Sequence, residues 1–122
     1  LEHLQRICRP GSLVFLISDF RNTPARFEEA LCRISKHCDL FLCFVYDPFE
    51  ANLPLNRALS VAGVKDEKEI ATSSKGVEKY NEQFLLRKQK VEALLRYPKI
   101  HGIELKTDEE CFSMLSKNFR KR

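Results

Sequence analysis

Leu40-Phe41-Leu42-Cys43-Phe44-Val45-Tyr46 is seven apolar or aromatic residues in succession, closed by Asp47-Pro48. A strand with one wet face alternates apolar and polar residues. A run with no alternation reads instead as a strand covered on both faces, the situation of a parallel sheet between helices. The proline ring removes a ladder donor, so the run stops there. A second such run, Leu13-Val14-Phe15-Leu16-Ile17, lies upstream, and its composition predicts a central strand. Between the two, Phe27, Ala30, Leu31, Ile34 and Cys38 step by three and four residues, the signature of one buried helix face. Thr23-Pro24 supplies a helix start, with a hydroxyl to accept from first-turn amides and a proline where a donor has no partner. Strand, helix, strand in that order implies a right-handed parallel crossover.

The flanking segments extend the same pattern. Leu1, Leu4, Ile7 and Cys8 have helical spacing and end at Arg9-Pro10-Gly11-Ser12. Residues 47–56 form a loop with two prolines. Two short β-prone runs, 58–64 and 68–72, surround Lys65-Asp66-Glu67 and suggest a small hairpin. Ser73-Ser74 offers an N-cap to the longest helix, whose face is Val77, Tyr80, Phe84, Val91 and Leu95, with Leu94 alongside and the stem of Lys88 across the gap. Pro98 ends it. Ile100 to Lys106 alternates weakly and is more polar, as suits a strand nearer an edge. Thr107-Asp108-Glu109-Glu110 has the capping-box form, and Cys111, Phe112, Leu115 and Phe119 give the last helix its apolar set. The expected architecture is therefore α/β and three-layered: a mostly parallel three-stranded sheet in chain order, flanked by helices, with a small β-hairpin.

Composition bounds the function. At 122 residues the chain is one domain or a part of one. It is 31% charged, and no stretch approaches the ~18–20 uninterrupted apolar positions of a membrane span, so it reads as soluble. The 21 Lys and Arg against 17 Asp and Glu owe their excess to Lys117, Arg120, Lys121 and Arg122. A nucleic-acid surface is not indicated. The run Arg87, Lys88, Lys90, Arg96, Lys99 is interrupted by acidic residues and reads as a solvated helix face. Five cysteines, without the paired spacings of a zinc or redox motif, read as small thiols in a reducing compartment. The three histidines lie apart from any Ser or Cys nucleophile, and the four glycines are too scattered for a phosphate loop. With no initiator Met and no charged leader, the sequence reads as cut from something longer.

In open parallel sheets, ligands bind outside the carboxyl ends of the strands. Here those ends carry Ser18-Asp19, Asp47 and Thr107-Asp108, oxygen ligands of the kind that suit Mg²⁺ or Mn²⁺. The same residues also serve as ordinary turn and cap residues. An Mg²⁺-dependent phosphotransfer or hydrolase module would need two of these carboxylates within about 4–6 Å and a cation at the same rim. Lys106 is the only strand-end lysine.

Four segments resemble a known family. Arg9-Pro10-Gly11-Ser12-Leu13-Val14-Phe15-Leu16-Ile17-Ser18-Asp19-Phe20 is similar to the fourth strand of a von Willebrand factor A-like domain, in the version of the bacterial family called domain of unknown function fifty-eight. Tyr46-Asp47-Pro48-Phe49-Glu50 with Leu53-Pro54, Thr72-Ser73-Ser74, and Leu105-Lys106-Thr107-Asp108-Glu109 resemble later motifs of that family, in the same order. The resemblance implies that residues 1–122 are the C-terminal half of such a domain, a partial von Willebrand A or Rossmann-like fold. It implies a non-catalytic protein-interaction role beside a MoxR-type AAA ATPase in chaperone or assembly work, on the cytoplasmic side of a membrane-attached parent. Of the family's metal-ion-dependent adhesion site only one residue has a counterpart, Asp19; the Asp-x-Ser-x-Ser loop is absent. A Mg²⁺ or Mn²⁺ ion is thus expected in the full-length protein and none in this fragment. Loss of the neighbouring strand leaves an apolar edge on Leu13 to Ile17, and a homodimer through that edge is expected.

Overall fold

The computed structural model describes residues 1–51 and 74–120. The expected hairpin and the Ser73 cap lie outside the described residues. Among the described residues, three strands form one parallel sheet in the order β1 (Leu13–Ser18), β2 (Asp39–Tyr46), β3 (Ile100–Lys106), accompanied by the helices α1 (Glu2–Ile7), α2 (Phe27–Ser35), α3 (Pro48–Ala51), α4 (Ser74–Leu94) and α5 (Cys111–Arg120). The α/β layered architecture is as the two apolar runs predict.

Register decides the layers. Val14, Leu40 and Ile100 pair across the sheet, as do Leu16, Leu42 and Gly102. These even-numbered residues face Leu31 and Ile34 of α2 and Phe84, Val91 and Leu94 of α4 in one core cluster. Leu31, Leu40 and Leu42 are wholly buried, each contributing about 1.5–3 kcal/mol by removal from water. Both crossover helices therefore share one face, as two right-handed crossovers in a sheet of order 1-2-3 require. The odd-numbered residues Phe41, Cys43 and Ile103 form a smaller cluster on the opposite face, closed by Leu105 and by Leu115 of α5.

Four local expectations are corrected. The apolar composition of β1 by itself reads as central, but β1 takes an edge place among the described strands and β2 is central, which is the chain order expected for the sheet. Thr23-Pro24 opens a turn, closed by the Phe27 amide donating to the Pro24 carbonyl, and α2 begins at Phe27 without a side-chain cap. Leu94 enters the core where Leu95 was expected. Leu95 instead covers β3 at Gly102, where a Cβ would stand 2.7 Å from its Cδ1. The Thr107 hydroxyl does not cap α5: it donates to Asp47.

Candidate functional site at the carboxyl ends of the strands

Past Ser18 the chain turns sharply. The Phe20 amide donates to Ser18 Oγ, and Phe20 adopts φ 51°, a left-handed conformation costly for a large side chain. Packing holds it there. The buried Phe20 ring meets Phe27 edge-on at 5.9 Å and Phe44 at 6.2 Å. This turn sets Asp19 outward beside Arg21: Asp19 Oδ1 accepts from the Arg21 amide, and Oδ2 lies 3.7 Å from Arg21 Nε.

Arg21 then reaches across to the segment after β2. Its guanidinium lies 2.7 Å from Glu50 Oε1, while Arg87 of α4 lies 3.0 Å from Glu50 Oε2. The result is a chain of alternating charge, Asp19, Arg21, Glu50, Arg87. Its inner end is desolvated, with the Arg87 and Glu50 side chains 13% and 19% exposed. Arg87 also stands over two aromatic faces, 5.7 Å from the Phe44 centroid and 5.4 Å from that of Phe84. The reading of Arg87 as solvated is overturned. Its position three residues after Phe84, on one helix face, is the sequence signal that points inward. Glu50 likewise follows Asp47 within the single turn of α3.

The remaining strand ends form two separate groups. Asp47 Oδ1 accepts from the Phe49 amide and Oδ2 from the Thr107 hydroxyl at 2.8 Å. These two bonds, the amide first, hold its carboxyl below the usual carboxylate range. Asp47 thus ties the ends of β2 and β3 together. At the second, Tyr46 donates to Glu104, which also pairs with Lys88 at 3.1 Å. Lys106, the strand-end lysine, pairs with Glu109. Asp19, Asp47 and Asp108 do not converge: Asp19 joins Arg21, Asp47 joins Thr107, and no contact links either to Asp108. Among the described residues, no group of three or more His, Cys, Asp or Glu could hold a metal ion. Asp19, with an arginine already at its carboxylate, does not by itself form a cation site.

The cysteines carry no bridge. Cys38 and Cys43 are buried, and burial pushes the Cys43 thiol upward, keeping it protonated and apolar. No helix among the described residues is long and apolar enough to cross a membrane.

Comparison with protein-family models, curated proteins and solved structures returns no match to this chain.

The tyrosines give a direct check on this rim. The chain has three, Tyr46, Tyr80 and Tyr97, and no tryptophan. Burial raises Tyr46 and Tyr80, with Glu104 and Glu50 respectively adding to it, and the hydrogen bond to Glu28 raises Tyr97. A phenol whose folded pKa is raised contributes stability that is complete below the unfolded value and lost as pH climbs through the folded one. Phenolate absorbance against pH is expected to show no tyrosine ionising at 10.0 in the folded protein, with stability falling above that pH. In denaturant all three should titrate together at the ordinary value. A single phenol titrating normally in the folded state would remove one of these contacts.

Proposed function

We propose that the chain is a non-catalytic protein-interaction module that docks another polypeptide along β1. The observation that supports this is the exposure of three large apolar residues on that strand: Leu13 at 55%, Phe15 at 42% and Ile17 at 69%. They share a face with Phe41 and Cys43, to which Phe15 and Ile17 pair in register. On that face Phe119 of α5 approaches β1, its ring lying 6.2 Å from Phe15 and 5.4 Å from Phe41. Monomeric proteins rarely leave such a stripe on a strand whose outer edge pairs with no described residue, because it recruits a further strand. Main-chain bonds to the edge would supply affinity, and the alternate side chains would supply specificity.

The von Willebrand A-like resemblance supports the same reading and makes a MoxR-type AAA ATPase the partner class. In isolation the occupant is a second copy. Two-fold symmetry makes the pairing antiparallel and self-complementary, so that Leu13, Phe15 and Ile17 of each copy meet.

Sedimentation over rising concentration is expected to show a reversible dimer, and Ile17→Lys should weaken it at least tenfold without altering the circular dichroism. The same substitution should abolish binding of a purified MoxR-type ATPase. A clean monomer at millimolar concentration together with ATPase binding indifferent to Ile17→Lys would refute the proposal.

A further inference from the structure

On the helix face of the sheet, opposite the β1 stripe, a cleft of about 700 Å³ opens between the turn after β1, the start of α2 and the flank of α4. That volume falls within the range of small-molecule sites. Its walls are of two kinds. Phe20, Phe27, Phe84, Val91 and Leu94 supply an apolar surface, much of it aromatic. Arg21, Arg87 and Lys90 bring three cations against one carboxylate, Glu28.

The cations are not equivalent. Arg21 and Arg87 both pair with Glu50, although Arg87 Nε is buried without a hydrogen-bond partner among the described residues. Glu28, the carboxylate of the lining, accepts from the Tyr97 hydroxyl at 2.7 Å. The side chains of Lys90, Thr23 and Gln83, all exposed at the mouth of the cleft, make no hydrogen bond or ion pair to a described residue. A cation and two neutral polar groups without partners thus border an apolar surface. The cleft is also held in shape. Phe20 keeps its left-handed backbone because its ring is wedged between Phe27 and Phe44, and the Glu50 bridge ties Arg21 to α4.

We infer that this cleft binds a small amphipathic organic anion: a flat apolar body lies against the phenylalanines, and a carboxylate, sulfonate or phosphate head is neutralised by Lys90. A wholly apolar ligand would leave Lys90 unanswered. A wholly polar one would leave the aromatic wall in water. Only a ligand with both parts matches both, the Lys90 pair being a solvent-screened contact that orients the head while the aromatic wall supplies most of the affinity.

The test uses the complete 122-residue chain and two probes of similar shape, anilinonaphthalene sulfonate and uncharged phenylnaphthylamine, followed by backbone amide NMR shifts. Saturable sulfonate shifts are expected at Phe20, Arg21, Gln83 and Lys90. Lys90→Glu should weaken the sulfonate roughly tenfold, as for loss of a charge-assisted contact, and the uncharged probe less than about twofold on the same reasoning. Lys90→Gln should fall between. Ile17→Lys should leave both affinities unchanged, which separates this site from the β1 stripe. Shifts confined to β1 and α5, or equal affinity of the two probes for the unaltered chain, would overturn the inference. So would sulfonate binding indifferent to Lys90→Glu.

Discussion

Phe44→Ala is expected to destabilise the chain by about 3–5 kcal/mol, the cost of removing a buried aromatic ring and leaving its cavity. The margin of a small domain is about 5–15 kcal/mol, so the variant should stand near unfolding. Phe44 is only 2% exposed and sits where the layers meet. Its ring lies 6.2 Å from Phe20, 5.2 Å from Tyr46 and 5.8 Å from Phe84, and the Arg87 guanidinium stands above it. Losing it exposes a void to the β1 turn, the central strand and α4 at once. Denaturant titration should show a lower midpoint with an unchanged slope. Phe112→Ala is the comparison, because Phe112 is 74% exposed and its loss should stay within about 0.5 kcal/mol. A Phe44→Ala cost as small as that of Phe112→Ala would mean the layers are not joined at this ring.

Arg87→Met carries the second large effect, about 2 kcal/mol, because it removes a desolvated charge-assisted bond and two cation–π contacts while keeping most of the stem. Glu50 would retain only Arg21. Arg21 itself is 40% exposed, and solvent screening limits Arg21→Met to well under about 1 kcal/mol. Adding Glu50→Gln to Arg87→Met should recover part of the loss, since the uncompensated carboxylate disappears with it. A double-mutant cycle measured by chemical denaturation reads that coupling directly. If Arg87→Met costs no more than Arg21→Met, or if the cycle closes with no coupling, the inner end of the charge chain contributes nothing to stability.

Some of this was legible before any coordinates. The strands at Leu40 to Tyr46 and Ile100 to Lys106 match the observed ones within a residue, because an unbroken apolar run and a Pro stop are local signals. So is the helix face of α2, where a period near 3.6 needs no partner to be visible, and so is the part of the α4 face formed by Val77, Phe84 and Val91, though Leu94 and not Leu95 completes it. The candidate site was less so. Asp19, Asp47 and Asp108 share a place in the strand pattern, yet each carboxylate goes to a different neighbour, and which neighbour depends on how the turn after β1 is aimed. Arg87 looked solvated because charge alone suggests water. What draws it inward is Glu50, thirty-seven residues earlier, together with two aromatic rings.

Sequence alone determined that this chain forms parallel strands sandwiched by helices, since burial on both faces of a strand or one face of a helix is written into the order of side chains. The order of the strands and an open edge on β1 follow from the sequence, whereas tertiary structure alone decided that Leu13, Phe15 and Ile17 are the large apolar side chains of β1 left exposed among the described residues. It alone joined Arg21, Glu50 and Arg87 into one chain of charge, and left Lys90 beside an aromatic cleft without a partner among the described residues. The physical reason is range. Periodicity is set by the nearest few residues, whereas the burial of a charge or the exposure of a strand edge depends on elements that meet only when the layers close.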